Sequence, residues 1–272
     1  MRFKLTIEYA GTRYSGWQIQ KNARTVQGEI ERAVRDAAAV SEFELYGSGR
    51  TDAGVHALAQ VAHLDLDTTM PAELLRRRIN DGLPSDINVL EIEQVRHRFH
   101  ARHDAISRSY IYQISRRRTA FAKPYVWWVK EELDLARMRE MAGRFVGRHD
   151  FQSFSDDDPS EKSTAVQVQT VELLDDGELI VIRIAGSHFI WKMVRRLVGV
   201  IVEVGRGGLT VDAAAAMLEQ RSAVPATLTA PASGLFLEQV IYGAAGGQPP
   251  PGRRGAAYGR SLAGGTRPFR RR

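Results

Sequence analysis

The sequence predicts an α+β fold built from two halves, each with the order strand, helix, strand, strand, helix, strand. Three observations lead to this expectation: apolar residues alternate at period two in some segments, they recur at helical spacing in others, and the resulting order of elements occurs twice. The chain has 272 residues, of which 43% are hydrophobic and 26% charged, as is typical of a folded protein with one large or two modest domains. We expect the halves at residues 1–105 and 106–245.

The first half begins with a strand, because apolar and polar side chains alternate over residues 3–9. Apolar residues at helical spacing then predict a helix over 26–37, with Thr25 as its N-cap. The further elements expected in this half are strands over 43–46 and 58–66, a helix over 71–81 and a strand over 87–95.

The second half repeats this order. An Asp-Asp-Gly-Glu turn over 175–178, between two apolar runs, predicts a β-hairpin. The elements expected here are strands over 110–114, 166–174, 179–184 and 235–241, and helices over 134–146, 189–204 and 212–220. The element order of both halves is that of a ferredoxin-like unit, which suggests a duplication.

The C-terminal segment 246–272 carries most of the excess positive charge. It holds seven arginines and no acidic residue, whereas the whole chain has a formal charge of +6, so the other residues together carry −1. The segment is rich in Gly, Pro and Arg and has few apolar residues, which predicts a disordered tail. A flexible polycation of this kind would raise nonspecific affinity for nucleic acid, or would have no partner at all.

Several classes of chemistry are excluded by composition. The chain lacks cysteine, which rules out disulfides, thiolate metal sites and cysteine nucleophiles. The arginine-flanked residues His97, His100 and His103 have no carboxylate or thiolate spacing that completes a zinc site, so we expect no metal. An RNA-contacting segment and a solvated loop both remain open for them. The N-terminus resembles neither a signal peptide nor a membrane span, so we expect a cytoplasmic protein without membrane contact.

The loop over 47–57 is the densest group of chemically capable residues. It reads GSGRTDAGVHA, with three glycines, an arginine, a carboxylate and an imidazole between two predicted strands. It is not a Walker-type phosphate loop, because no Gly-Lys-Ser/Thr ends it and no helix follows. Two interpretations remain from the residues alone: Asp52 stabilises a local turn, or it is a catalytic carboxylate.

Residues 49–57, GRTDAGVHA, resemble the signature of the TruA family of tRNA pseudouridine synthases at every position. Further stretches resemble the family in the same order along residues 3–242: YSGWQIQ, FHAR, RSYIY, HDFQSF, MVRRLVG and APASGL. One departure is AVQ at 165–167, where the family commonly has another arginine, so substrate contacts there are expected to differ.

The resemblance implies a pseudouridine synthase fold with a central cleft between two ferredoxin-like halves. It also implies a homodimer without cofactor that isomerises uridine at tRNA positions 38–40, on the 3′ side of the anticodon arm. Asp52 is then the essential aspartate. A carboxylate can attack the sugar or the base, or take a proton from the ribose, and the sequence leaves these routes open.

The resemblance also supplies a candidate site. It implies that Arg195 is the basic partner of Asp52 and that Tyr110 stacks on the uracil, so the expected catalytic residues are Asp52, Arg195 and Tyr110. The expected substrate-binding residues are Arg50, Arg102, Arg108 and again Tyr110. Without the resemblance, Arg195 would belong to an exposed basic stripe with Lys192 and Arg196, and Tyr110 to the core.

Two rival functions make different demands on the sequence. A catalytically silent RNA-binding module built from two ferredoxin-like halves would not need Asp52. A nucleobase deaminase is excluded, because its zinc ligands include cysteines.

Overall fold

A computed structural model describes residues 1–243, and all ten strands within them belong to one sheet. The first half follows the predicted order. Its elements are β1 (Arg2–Tyr9), α1 (Val26–Ala38), β2 (Glu44–Gly47), β3 (His56–Asp65), α2 (Ala72–Gly82) and β4 (Ile87–Val95). These strands lie in the order β4-β1-β3, with β2 also paired to β3.

The second half contains the same series and several short additions. Its elements are β5 (Ala105–Ser115), β6 (Trp127–Trp128), α3 (Leu135–Arg144), β7 (Gly147–Asp150), β8 (Ala165–Asp176), β9 (Leu179–Gly186), α4 (Met193–Gly205), α5 (Val211–Ala215), α6 (Val224–Thr227) and β10 (Leu235–Tyr242). The strands lie in the order β10-β5-β9-β8-β7. The two orders are equivalent: β4 lies beside β1 and β1 beside β3 in the first half, and β10 lies beside β5 and β5 beside β9 in the second.

The last strand of the chain joins the two halves. Strand β10 pairs with β3 in parallel at Phe236 and Leu237, and with β5 in antiparallel along most of its length. The sheet is otherwise antiparallel, except for the short pairing of β5 with β6. Because β10 fills the space between β3 and β5, a residue near the start of β3 is close to residues of the second half.

Two hydrophobic cores lie along the sheet. The first packs α1 and α2 on β1 and β3, and the second packs α3 and α4 on β5 and β9. The alternation predicted for the first strand is confirmed: Phe3, Leu5, Ile7 and Tyr9 are buried. Tyr110 on β5 packs against both cores, which places it at the junction of the halves.

Local signals set most element ends as predicted. The Thr25 hydroxyl accepts a hydrogen bond from Gly28 N at 3.3 Å and caps α1. Gly177 lies in the hairpin turn between β8 and β9 with a φ of 67°, in the left-handed region that glycine favours.

Two predictions about α4 are wrong. The helix was expected to begin at Phe189, yet it begins at Met193, because Lys192 has a left-handed φ of 61°. The preceding Phe189 instead points its ring edge-on at Tyr110, with 5.3 Å between ring centroids. Arg196 does not belong to an exposed basic stripe: its side chain is 4% exposed and forms an ion pair with Asp156. Apolar contacts surround most of α4, so the helix is buried on nearly every side.

Two further expectations concern the membrane and the tail. No helix within residues 1–243 is both long and apolar enough to cross a membrane. The tail predicted at 246–272 lies outside the described residues.

The close approach of α4 to the segment before β10 generates a test of the fold. A Cβ on Gly199 would lie 1.7 Å from Leu228 O, which is main chain and cannot simply rotate away. We expect Gly199→Ala to lower the free energy of unfolding by about 1–3 kcal/mol, the usual cost of overpacking. Gly143→Ala in α3 is the matched control, because a Cβ there meets no atom within 4 Å. Urea unfolding of both variants measures the difference, and equal loss of stability in the two would contradict the close approach.

Candidate active site

The loop between β2 and β3 is anchored at its start by a buried glutamine. Gln60 accepts a hydrogen bond from the Ser48 hydroxyl at 2.7 Å and donates one to Gly49 O at 3.1 Å. Ser48 N also donates to Val61 O at 2.7 Å. The loop therefore leaves the sheet in a fixed direction, four residues before Asp52.

Three neighbouring residues contact Thr51, the residue before Asp52. The Thr51 hydroxyl forms a hydrogen bond with the Tyr9 hydroxyl at 2.8 Å, and Trp17 N donates to Thr51 O at 3.1 Å. Gly16 has a φ of 91°, and a Cβ there would lie 2.5 Å from Thr51 O, so this position requires glycine. These contacts fix the main chain from which the Asp52 side chain projects.

A neutral histidine closes the loop. Gly11 N donates to His56 Nδ1 at 3.0 Å, so the ring proton is on Nε2, which lies 3.0 Å from Pro124 O and donates to it. Burial lowers the pKa of His56 to about 4, so the ring is uncharged at neutral pH. The ring also stacks on Phe236 of β10, with 4.6 Å between centroids. His56 thus links the end of the loop to the second half.

The structure brings Asp52 and Arg195 together. Arg195 Nη1 lies 3.5 Å from Asp52 Oδ2, which is an ion pair rather than a short hydrogen bond. Arg195 is held by reciprocal bonds to one residue: its Nε donates to Ala230 O at 2.7 Å, and its main-chain O accepts from Ala230 N at 3.1 Å. The Asp52 side chain is 28% exposed, so part of the carboxylate remains accessible.

Tyr110 also belongs to this site. Its ring is half-buried, and the Phe189 ring meets it edge-on at an interplanar angle of 88°. Burial raises the pKa of the Tyr110 phenol to about 12, Arg108 opposes that rise, and the negative charge of Asp52 adds to it. The phenol is therefore protonated at neutral pH and offers a ring face and a hydrogen-bond donor.

The guanidinium of Arg108 lies among main-chain carbonyls. Nη1 donates to Ala105 O and Ser187 O, and Nη2 donates to Ser48 O and Arg102 O, at 2.8–3.2 Å. The group thereby connects the loop that carries Asp52, the start of β5 and the segment after β9. Burial lowers the pKa of Arg108.

The other two arginines expected to bind substrate are exposed. Arg50 lies on the loop two residues before Asp52, and Arg102 lies in the segment that leads into β5. No contact within residues 1–243 ties either side chain to Asp52, so their roles stay predictions.

Sequence reasoning missed Phe189, Ala230 and His56 as parts of this site. Phe189 was placed on a helix because its segment has helical spacing, and Ala230 contributes main-chain atoms, which no residue type reveals. His56 stands in the motif that was noticed, but its partners come from distant segments. Within residues 1–243, no group of three histidine, aspartate or glutamate side chains is placed to hold a metal ion.

The chain is similar to known tRNA-modifying enzymes. A family model described as tRNA pseudouridine synthase matches residues 5–104 and 141–243. The chain is 38% identical to tRNA pseudouridine synthase A 2 of Bacillus cereus (strain ATCC 10987 / NRS 248), over 88% of this chain and 99% of that protein. It is 42% identical to tRNA pseudouridine synthase A of Rhodopseudomonas palustris (strain BisA53), over 89% and 99%.

Solved structures are more distant. The archaeal box H/ACA sRNP Nop10-Cbf5 complex contains a chain that matches with a TM-score of 0.34 and 12% identity, over 74% of this chain and 43% of that chain. A Cbf5-Nop10-Gar1 complex matches with a TM-score of 0.33 and 10% identity, over 73% and 54%. This chain therefore spans about half the length of those proteins.

Proposed function

The chain belongs to the tRNA pseudouridine synthase family, and we propose that it isomerises uridine in the anticodon stem-loop of tRNA, at positions 38–40, with Asp52 as the catalytic carboxylate. The enzyme is an isomerase whose substrate is tRNA. The observation that carries the assignment to Asp52 is its contact with Arg195: a partly exposed carboxylate and a guanidinium held by main-chain bonds meet at 3.5 Å where the two halves join.

The reaction is an isomerisation, so uridine and pseudouridine contain the same atoms and electrons. The bond from ribose C1′ to N1 of the uracil breaks, a bond from C1′ to C5 forms, and one proton leaves C5 while one joins N1. A single carboxylate can start this sequence by attacking C1′ or the base, or by removing a ribose proton. The adjacent Arg195 supplies fixed positive charge and orients the carboxylate.

We assign Tyr110 to the base. An unpaired uracil that enters the cleft can stack on the phenol ring, and the protonated hydroxyl can donate a hydrogen bond to it. Phe189 packs against this ring in a T-shaped contact. Because a pKa of about 12 keeps the phenol protonated at neutral pH, Tyr110 must lose its own proton before it can accept the C5 proton.

The target nucleotide must leave its stack to reach Asp52. Extrusion costs a few kcal/mol, which protein contacts to the surrounding RNA must offset. We propose Arg50, Arg102 and Arg108 as contributors to those contacts, since Arg50 is exposed near Asp52 and Arg108 holds the loop in place.

We further propose the architecture that the resemblance implies: two ferredoxin-like halves, at 1–105 and 106–245, in a cytoplasmic homodimer. The equivalent strand orders of the two halves support the duplication. A catalytically silent RNA-binding module is the alternative function, and it gives no reason for a half-buried arginine, held by main-chain bonds, beside a partly exposed aspartate.

Asp52→Asn tests the assignment. The change keeps the size of the side chain and removes its charge, so we expect tRNA affinity and thermal stability to stay near the parent values. Pseudouridine formation on an unmodified tRNA transcript, mapped chemically, should fall at least about 1,000-fold. Asp36→Asn is the matched control, because Asp36 is an exposed carboxylate on α1. Turnover by Asp52→Asn comparable with that of the control would remove Asp52 from the mechanism.

A second prediction separates Arg195 from its neighbour. Lysine has one ammonium and cannot bond Ala230 O while also reaching Asp52, so Arg195→Lys should lower kcat at least about tenfold with little loss of stability. Arg196→Lys keeps a cation beside Asp156 and should lower stability while leaving kcat of the folded enzyme near normal. Single-turnover assays and thermal unfolding measure both effects. The opposite pattern, with kcat lost in Arg196→Lys alone, would mean that the wrong arginine was assigned.

A further inference from the structure

The segment before β5 presents arginines that the protein itself leaves without acidic partners. Arg96, Arg98 and Arg102 are exposed, and no carboxylate within residues 1–243 lies in ion-pair distance of any of them. The nearby acids are engaged: Asp65 pairs with Arg2, and Asp104 accepts a hydrogen bond from His100 N at 2.9 Å. Residues 96–104 hold three arginines and one aspartate, so the segment has an excess of positive charge.

Aromatic rings gather beside these arginines. Tyr46 on β2 stacks on His63 of β3, with 5.4 Å between centroids and 12° between ring planes. His63 meets His100 at 4.7 Å, and His100 meets His103 at 4.2 Å. His63 is buried and contacts both Tyr46 and His100, whereas Tyr46 remains 53% exposed. We refer to Tyr46, His63, His100, Arg102 and His103 as the Tyr46 surface.

Main-chain hydrogen bonds fix the tautomers of His63 and His100. Ala101 N donates to His63 Nδ1 at 3.2 Å, and both Arg102 N and His103 N donate to His100 Nδ1. The neutral rings therefore carry their proton on Nε2. A ring nitrogen already occupied by main-chain donors is a poor metal ligand, and no metal-binding group is found among the described residues. The Nε2–H of the half-buried His100 ring can donate to an acceptor such as a phosphate oxygen.

The Tyr46 surface is connected to the loop that carries Asp52. Arg108 Nη2 donates both to Arg102 O, at 2.8 Å, and to Ser48 O, at 3.1 Å. Ser48 follows Tyr46 by two residues and precedes Asp52 by four. An RNA strand that delivers a nucleotide to Asp52 can therefore continue onto this surface.

We propose that the Tyr46 surface binds an unpaired nucleotide of the tRNA next to the target uridine, with the base stacked on Tyr46 and the phosphate held by Arg102 and His100. The proposal rests on the proposed function, since it takes tRNA as the ligand. An exposed aromatic face beside unpaired cations is the arrangement that binds single-stranded RNA, because every base has a face to stack and every linkage carries a negative charge. A protein partner is disfavoured, because Arg102 on this surface and Arg96 and Arg98 in the same segment are exposed arginines without an acidic partner among residues 1–243.

Binding experiments separate stacking from charge. The full chain carrying Asp52→Asn is titrated into a labelled, unmodified tRNA transcript, and fluorescence anisotropy gives Kd at several salt concentrations. Tyr46→Ala should raise Kd about 5- to 150-fold, the range for one stacked base, whereas Tyr46→Phe should stay within about twofold of the parent. Arg102→Ala should reduce the slope of log K against log salt by about 0.7–0.9. Arg139→Ala should leave the slope unchanged, since Arg139 is an exposed arginine on α3.

A turnover assay keeps this inference distinct from the proposed function. With Asp52 restored, Tyr46→Ala should reach the parent kcat at saturating tRNA and show a raised KM. The stacking site would be overturned if Tyr46→Ala bound tRNA as tightly as the parent, or if Tyr46→Ala and Tyr46→Phe weakened binding equally. In either case continued formation of pseudouridine would leave the proposed function intact. If the parent enzyme forms no pseudouridine but the Tyr46 variants differ as described, the RNA-binding surface stands and the proposed function fails.

Discussion

The contact between Asp52 and Arg195 is the constraint on which the site depends, because its two partners come from different halves of the chain. Asp52 follows β2, and Arg195 lies on α4, which packs on the sheet of the second half. Their approach requires β10 to lie between β3 and β5, and it requires Ala230, just before β10, to hold the arginine. The absence of a side chain at Gly199 lets that segment reach α4. The strand that joins the sheet thus also brings the two sides of the site together.

Around this contact, the loop is fixed by neutral hydrogen bonds and not by further ion pairs. Thr51, Gln60 and His56 each anchor the loop through main-chain or hydroxyl partners, and burial keeps His56 uncharged. Arg108 is the exception, yet its partners are carbonyl oxygens. Asp52 and Arg195 therefore face each other without a competing acid from the loop.

Local signals in the sequence were sufficient for most elements and insufficient for their assembly. The alternation in β1, the Thr25 cap and the turn at Gly177 act over a few residues, so these elements appeared nearly where predicted. The predicted start of α4 was wrong because Lys192 takes a left-handed conformation, and Phe189 outside the helix contacts the ring of Tyr110. Arg196 looked exposed by residue type, but a loop forty residues earlier in the chain buries it against Asp156. The short strands β6 and β7 lack a periodic signal and were not predicted.

The residues of the site, like the elements of the fold, include some that the sequence predicts and some that it does not. The resemblance predicts Asp52, Arg195 and Tyr110 as site residues, and the structure places all three at the junction of the halves, whereas their catalytic roles stay predictions. The partners that hold them could not be predicted, because they are main-chain atoms or come from remote segments. The most direct test of the account is an experimental structure of Asp52→Asn bound to an unmodified tRNA transcript. We expect the target uridine outside its stack, with its ring on Tyr110 and its ribose beside residue 52 and Arg195; a target base that remains stacked in the RNA, or that lies away from this junction, would contradict the account.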